Sequence, residues 1–279
     1  NNHQKFTDDE CKSLVDSFNN YFIDKINTIH QNIKQRLSVS TSSHGSNVFR
    51  DNSNSILSSF PEVTPLEVIS IIRSTCNKTS PLDSFPHQVF LHSSNFLAPA
   101  ISTLANLSFA EGSCPDSFKI AQVLPLLKKP NLDVDNPANF RPISNLSTIS
   151  KIIERLALKR LQPHITSNNN FTPFQSAYRR FHSTETSLLH ILDYVFNACN
   201  SKQATLIAGL DLSAAFDTID HGILLKRLKD DFGLDGTVLS WLSSYLTDRS
   251  QFVKLGNFSS PSVKLTHGVP QGSVLGPLL

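Results

Sequence analysis

The sequence lacks methionine and has little cysteine. None of the 279 residues is methionine, although several would be ordinary at this length, and only four are cysteine. Because even an initiator residue is missing, we expect the chain to be a piece of a longer polypeptide. Cys11, Cys76, Cys114 and Cys199 lie far apart and form no CxxC pair. Free thiols in a reducing compartment are therefore a simpler expectation than a zinc site or a disulfide scaffold.

Long apolar runs and a strong charge imbalance are also absent. No run of about 18 apolar residues occurs, so no membrane span is expected, and the N-terminus lacks the pattern of a secretory signal. The net charge is only +2, so any basic surface must be local. With 39% apolar and 17% charged residues, the chain has the composition of a folded protein with a sizeable core.

The first 115 residues are predicted to be mainly helical. Residues 1–37 contain a long helix from position 7, capped by Thr7 and Glu10, whose apolar stripe favours packing on the main body over a coiled-coil partner. Residues 38–60 are rich in Ser and Asn, which is typical of a flexible linker. Residues 61–115 contain a short helix capped by Thr64 and a longer one over 86–111, with a kink expected at Pro99.

Two cations flank a predicted strand in the middle of the chain. Residues 120–127 are β-prone and end at Lys128, and Arg141 follows an Asn- and Pro-rich loop. The pair could bracket a polyanion, although the residues alone favour two solvated surface cations. A helix over 148–161 follows, which Pro163 is expected to end and whose basic face suits either solvent or a nucleic-acid backbone.

An acidic residue closes the most apolar segment. Residues 205–212 are predicted to form a strand covered on both faces, with Asp211 at its end. A carboxylate in such a place needs a partner or a metal, although it could also cap a turn. The small residues 213–215 and then Phe216 follow, while Asp217 and Asp220 are candidate caps of a helix over 221–231.

A glycine-flanked Pro-Gln pair follows near position 270. In the segment 267–273, glycines on both sides let the backbone lie against a flat ligand and present the amide of Gln271. Taken together and in order, residues 127–130 (LKKP), 139–144 (NFRPIS), 210–217 (LDLSAAFD) and 268–273 (GVPQGS) resemble the reverse transcriptases of LINE-type (non-LTR) retrotransposons. The resemblance extends from about residue 60 to residue 279.

The resemblance implies an α+β fold of the right-hand polymerase type. Residues 116–279 would form the fingers and a partial palm, truncated after the Pro-Gln-Gly segment, and 61–115 their helical N-terminal extension. The implied activity is RNA-directed DNA synthesis with two Mg²⁺ ions. The implied partners are an RNA template, a DNA primer or target, and dNTPs, with no membrane. Target-primed insertion implies access to chromosomal DNA, and hence the nucleus.

The same resemblance implies roles for seven residues. Asp211 matches the first metal-binding catalytic aspartate, and Phe216 matches the aromatic gate that excludes a 2′-hydroxyl. Gln271 matches the glutamine beside the incoming nucleotide. The remaining four match groups along the triphosphate of the dNTP: the side chains of Lys128 (less surely Lys129) and Arg141, and the amides of Ala214 and Ala215.

One element of the family pattern is missing. The aromatic-x-Asp-Asp hairpin should follow the Pro-Gln-Gly segment, whereas Asp230 and Asp231 precede it at the end of a predicted helix. Asp211 alone cannot hold two ions, so we expect the isolated fragment to be inactive. The alternative is a non-catalytic nucleic-acid- or protein-binding remnant of such an element. A group II intron maturase fits less well, because 210–217 is more LINE-like.

Overall fold

The computed structural model describes residues 8–39, 55–75, 79–212 and 214–279. Helices predominate over a small mixed sheet, in keeping with the α+β expectation. The helices are α1 (Asp8–Val39), α2 (Pro65–Ser74), α3 (His87–His92), α4 (Ser94–Glu111), α5 (Thr148–Thr166), α6 (Thr184–Asn200), α7 (His221–Asp230) and α8 (Gly236–Leu246). The strands are β1 (Ile120–Leu127), β2 (Phe140–Asn145), β3 (Ser250–Leu255), β4 (Phe258–Ser259) and β5 (Val263–Lys264).

The sheet brings together segments that are distant in sequence. Its order is β2-β1-β3-β4, with β5 also paired to β3. Strand β1 is antiparallel to β2 and parallel to β3. The register places Leu126 opposite Arg141, so the cation on β2 lies beside the end of β1 where Lys128 follows. Strand β3 is also antiparallel to β4, across the Gly256 turn, and to β5.

The larger core surrounds the only tryptophan. Trp241 on α8 is fully buried, and its Nε1 donates a hydrogen bond to the Ser108 Oγ on α4 at 2.9 Å. The Phe60 and Phe109 rings pack against it at 5.8 and 5.4 Å between centroids. Phe60 therefore packs against the core, although the sequence predicts that it ends a flexible linker over residues 38–60. Residues 40–54 of that linker lie outside the described residues.

Helix α1 packs on the sheet, as the favoured interpretation of its apolar stripe predicts. Val15, Phe18 and Phe22 are buried in a second cluster with residues of β1, β2 and β3. The Phe18 ring meets the Phe140 ring edge-on, with centroids 4.7 Å apart. The predicted Thr7 cap falls outside the described residues.

The basic face of α5 is occupied by α2. Arg160 donates two hydrogen bonds to the Glu67 carboxylate, at 2.9 and 3.0 Å, and Lys159 lies 3.2 Å from the same group. Thr64 caps α2 by accepting the Glu67 amide at 3.3 Å. Two of the cations that could have met a nucleic-acid backbone therefore join two helices instead.

Two predicted helices differ in extent from the structure. The helix predicted over 86–111 is divided at Ser93 into α3 and α4, and Pro99 lies inside α4. Helix α5 continues through Pro163 to Thr166. Tertiary contacts favour the extra turn, because Ile165 is buried and the His164 Nε2 lies 2.7 Å from the carbonyl oxygen of Phe232.

The buried strand predicted over residues 205–212 is wrong. Residues 203–212 form no strand, and the side chains of Leu206 and Leu210 are 94% and 95% exposed. A strand requires a neighbour for its backbone groups, and none of the described strands pairs with this segment. Helix α6 is likewise without a buried residue, so its apolar face is open to solvent.

The three cysteines that the structure describes are free thiols. Cys11 and Cys114 are buried free thiols, whereas Cys199 is an exposed one and Cys76 lies outside the described residues. None of the described helices combines the length and apolarity that a bilayer crossing requires.

The docking of α1 can be tested with Phe18→Ala. Removing a fully buried aromatic ring costs about 3–5 kcal/mol in the free energy of unfolding. Urea unfolding followed by far-UV circular dichroism should show this loss. Ile33→Ala, at a 46% exposed position of the same helix, should cost well under half as much. Equal effects of the two substitutions would contradict the packing of α1 described above.

Candidate active site

One cavity gathers all seven residues to which the sequence assigns a role. It has a volume of about 470 Å³, within the range of small-molecule sites. Its lining comprises Lys25, Lys128, Phe140, Arg141, Pro142, Asp211, Leu212, Ala214, Ala215, Phe216, Asp217 and Gln271. These residues come from α1, the β1–β2 hairpin, the 211–217 segment and the loop after β5, so the cavity is a property of the tertiary fold.

The β1–β2 hairpin supplies two exposed cations. The Lys128 amide donates to the Asn139 carbonyl at 2.9 Å, which closes the hairpin, and its Nζ donates to the Ala138 carbonyl at 2.5 Å. Burial lowers the pKa of Lys128, and the charges of Lys25 and Arg141 lower it further. Three like charges are thus held close enough to repel one another, an arrangement that an anion would relieve.

The Gln271 loop is fixed against β2 by backbone contacts. The Gln271 carbonyl accepts the Ser144 amide at 2.8 Å. Gly272 has φ +120°, and a Cβ there would lie 2.7 Å from the Ser144 carbonyl oxygen. Only glycine permits this approach. Arg141 lies on β2, as Ser144 does. These main-chain contacts therefore also set the position of Gln271 relative to Arg141.

The same loop is fixed at its other end against the 214–219 turn. The Gly268 amide donates to the Ile219 carbonyl at 2.7 Å, and the Val269 amide donates to the Phe216 carbonyl at 2.8 Å. A Cβ on Gly268, whose φ is +82°, would lie 2.7 Å from the Asp217 carbonyl oxygen. The loop thus connects β2 to the turn that carries Phe216.

The 214–218 turn places a half-buried aromatic ring at the cavity. The Ala214 carbonyl accepts the amides of Asp217 and Thr218 at 2.9 and 3.1 Å, although Ala214 has the unusual φ of +55°. Left-handed backbone at a non-glycine residue costs about 1–2 kcal/mol and is enriched at functional sites. The Phe216 ring lies 6.3 Å from the Tyr178 ring, edge to face.

Two carboxylates face the cavity in different environments. Asp211 is exposed, which corrects the expectation of an acid at the end of a buried strand, yet it shares the cavity with the cations and Gln271. Burial raises the pKa of Asp217 to about 6, against the lowering influence of Lys25. Within the described ranges no three His, Cys, Asp or Glu residues are grouped to hold a metal ion. Asp211 and Asp217 have the oxygen atoms that a metal ion needs, but they are not part of a group of three such ligands among the described residues.

A buried glutamate on α5 supports the loop from below. Glu154 is almost fully buried, and its Oε2 accepts the amides of Val274 and Leu275 at 2.6 and 3.1 Å. Burial raises the pKa of Glu154, while these backbone hydrogen bonds oppose the shift. The residues that directly follow the 268–273 segment are therefore held by Glu154, to which the sequence analysis gave no role.

Sequence reasoning missed two charged residues of the cavity. Asp217 was considered only as a helix cap, a role that Asp220 alone performs by accepting the Ile223 amide at 2.9 Å. Lys25 lies on α1, far from the motifs. The available signal was its helical phase, three residues after Phe22 and seven after Phe18, which places it near the buried stripe.

Comparisons with known proteins identify what the chain is similar to. Residues 127–279 match the family described as reverse transcriptase (RNA-dependent DNA polymerase). The probable RNA-directed DNA polymerase from transposon BS of Drosophila melanogaster is 33% identical over 216 residues, which cover 77% of this chain and 22% of that protein. The RNA-directed DNA polymerase from mobile element jockey of the same species is 33% identical over 170 residues, 60% of this chain and 18% of that protein.

A more distant relative is the retrovirus-related Pol polyprotein from type-1 retrotransposable element R2 of Popillia japonica. It is 27% identical over 148 residues, which cover 53% of this chain and 20% of that protein. The chain therefore spans about a fifth of the length of these curated relatives.

The partly buried carboxyl group of Asp217 predicts a pH dependence of stability. Its pKa is raised from 3.8 to about 6, so folding favours the protonated form. Its contribution is fully present below pH 4 and is lost as the pH rises from about 4 to about 6, by at most about 3 kcal/mol. Urea unfolding of the wild type and of Asp217→Asn should differ by a pH-dependent amount in this window. A constant difference would contradict the burial of this carboxyl group.

Proposed function

The chain belongs to the reverse transcriptase family, among the enzymes of LINE-type retrotransposons, and we propose that its cavity binds the incoming dNTP of an RNA-directed DNA polymerase. The observation that carries the proposal is that the seven residues with family-matched roles line one cavity of suitable volume. They are separated by up to 143 positions in sequence (128 to 271). Such convergence is not expected of residues that are merely surface features.

We propose that the cations hold the triphosphate. Arg141 offers a planar fork of donors to phosphate oxygens, and Lys128 offers a compact charge. The charges of Lys25 and Arg141 add to desolvation in lowering the pKa of Lys128, and the negative charge of a triphosphate would offset this repulsion. The amides of Ala214 and Ala215 would lie along the same phosphates.

Gln271 and Phe216 would determine how the rest of the nucleotide lies. The backbone contacts of Gln271 with Ser144 leave its side-chain amide for the base or the template. The Phe216 backbone is held by the Val269 amide, and its ring, which meets the Tyr178 ring, would occupy the space of a ribose 2′-hydroxyl. The nucleotide would thus be oriented by a rigid turn and a rigid loop.

We propose Asp211 as one carboxylate ligand of Mg²⁺. Polymerases of this family generally use divalent metal ions, which activate the primer hydroxyl and neutralise charge on the leaving pyrophosphate. A complete ion site needs more ligands than the described residues supply.

The wider function follows from the family. We propose that residues 116–279 contribute the fingers and part of the palm, that 61–115 form a helical extension, and that the partners are an RNA template and a DNA primer or target. We further propose that the parent protein acts on chromosomal DNA, and hence in the nucleus.

Asp211→Asn tests the metal role. In a polypeptide that joins these residues to a downstream Asp-Asp hairpin, the substitution should abolish Mg²⁺-dependent primer extension, because a neutral amide binds a divalent cation poorly. RNA binding should be nearly unchanged. The control is Asp248→Asn at an exposed turn with φ +55°, a conformation that asparagine tolerates. Extension that survives Asp211→Asn would refute the metal role.

Phe216→Ala tests the sugar gate. In the same polypeptide, the smaller side chain should admit ribonucleotides and raise their incorporation relative to dNTPs by tenfold or more, about 1.4 kcal/mol. The measurement is the ratio of kcat/KM for the two sugars. Tyr178→Ala, which removes only the neighbouring ring, should change this ratio much less. Unchanged discrimination in Phe216→Ala would refute the gate.

A further inference from the structure

Helix α1 contributes a charged group to the cavity although it lies outside the family match. Lys25 lines the cavity with Lys128 and Arg141, whereas the match covers residues 127–279 only. Its positive charge lowers the pKa of Lys128 and opposes the rise that burial causes in the pKa of Asp217. Lys25 is therefore electrostatically part of the site.

The packing of α1 fixes where Lys25 lies. Phe18 and Phe22 are one helical turn apart and buried, and Lys25 follows on the same side of the helix. The Phe18 ring contacts Phe140, which itself lines the cavity and precedes Arg141. The position of Lys25 is thus tied to the strand that carries Arg141.

Two further contacts hold α1 on either side of Lys25. Toward the N-terminus, the Asn19 Nδ2 donates to the Pro261 carbonyl at 3.1 Å. Toward the C-terminus, the His30 ring stacks on the His267 ring at 3.7 Å between centroids, directly before the Gly268 loop. Lys25 is therefore on a segment anchored to both the sheet and the loop.

The charge balance of the cavity favours an anionic ligand at Lys25. Lys25, Lys128 and Arg141 face only two carboxylates, Asp211 and Asp217. Even with both carboxylates ionised, the three cations exceed them by one charge. A deoxynucleoside triphosphate carries several negative charges and would fit beside all three cations.

We propose that Lys25 of α1 is a third cationic contact for the triphosphate of the incoming nucleotide, so that α1 is a built part of the nucleotide site. This inference rests on the proposed function. It assigns Lys25 to the nucleotide rather than to the backbone of a nucleic acid. It also makes nucleotide affinity depend on the docking of α1.

The test measures binding by the 279-residue chain without metal. The probe is fluorophore-labelled dATP, followed by anisotropy, with inorganic tripolyphosphate as competitor. Lys25→Gln should weaken dATP binding roughly tenfold, the effect of one lost charge-assisted contact. Lys25→Arg should retain binding. Lys12→Gln, at an exposed position of the same helix, should leave it unchanged, and the fluorescence of buried Trp241 verifies folding of each variant.

The outcomes separate this inference from the proposed function. Arg141→Gln should weaken dATP binding as well. If it does and Lys25→Gln does not, the assignment of Lys25 is wrong while the nucleotide site stands. If neither substitution matters, or the unaltered chain does not bind dATP, the nucleotide site itself is wrong. If Lys25→Gln weakens binding of a 12-nucleotide RNA but not of dATP, Lys25 contacts a nucleic-acid backbone and the proposal is overturned.

Discussion

The site depends on the close backbone approach of one loop to two other segments. Gly268 lies against the main chain of Asp217, and Gly272 lies against that of Ser144, at distances that leave no room for a side chain. Hydrogen bonds from Ser144, Gly268 and Val269 secure the same contacts. Backbone contacts of this kind are short and stiff, so they fix the separation between Arg141 on β2 and the turn that carries Phe216.

The candidate site could be predicted from the sequence because its parts are local motifs. Lys128 and Arg141 flank a strand pair, Asp211 and Phe216 lie within one short segment, and Gln271 stands between glycines. The resemblance of these segments, taken in order, to those of reverse transcriptases implied that they meet, and they do share one cavity.

What the sequence could not provide depends on long-range packing. The apolar run 205–212 has the residues of a covered strand, but a strand also requires a partner for its backbone groups, and none of the described strands pairs with this run. Pro163 normally ends a helix, yet the burial of Ile165 outweighs the lost hydrogen bond. Lys25 resembled any surface lysine until the docking of α1 gave it neighbours.

The uncovered face of α6 has a consequence for the behaviour of the chain in solution. Its large apolar side chains are 41–65% exposed, namely Leu188, Leu189, Ile191, Leu192, Tyr194 and Phe196. Water solvates such a surface at a cost of about 25 cal/mol per Å², and a contiguous patch rarely persists on a monomer. Encounters that hide this face are therefore favoured by mass action, and they strengthen on warming from low temperature. Dilution and cooling are the conditions under which the chain stays dispersed.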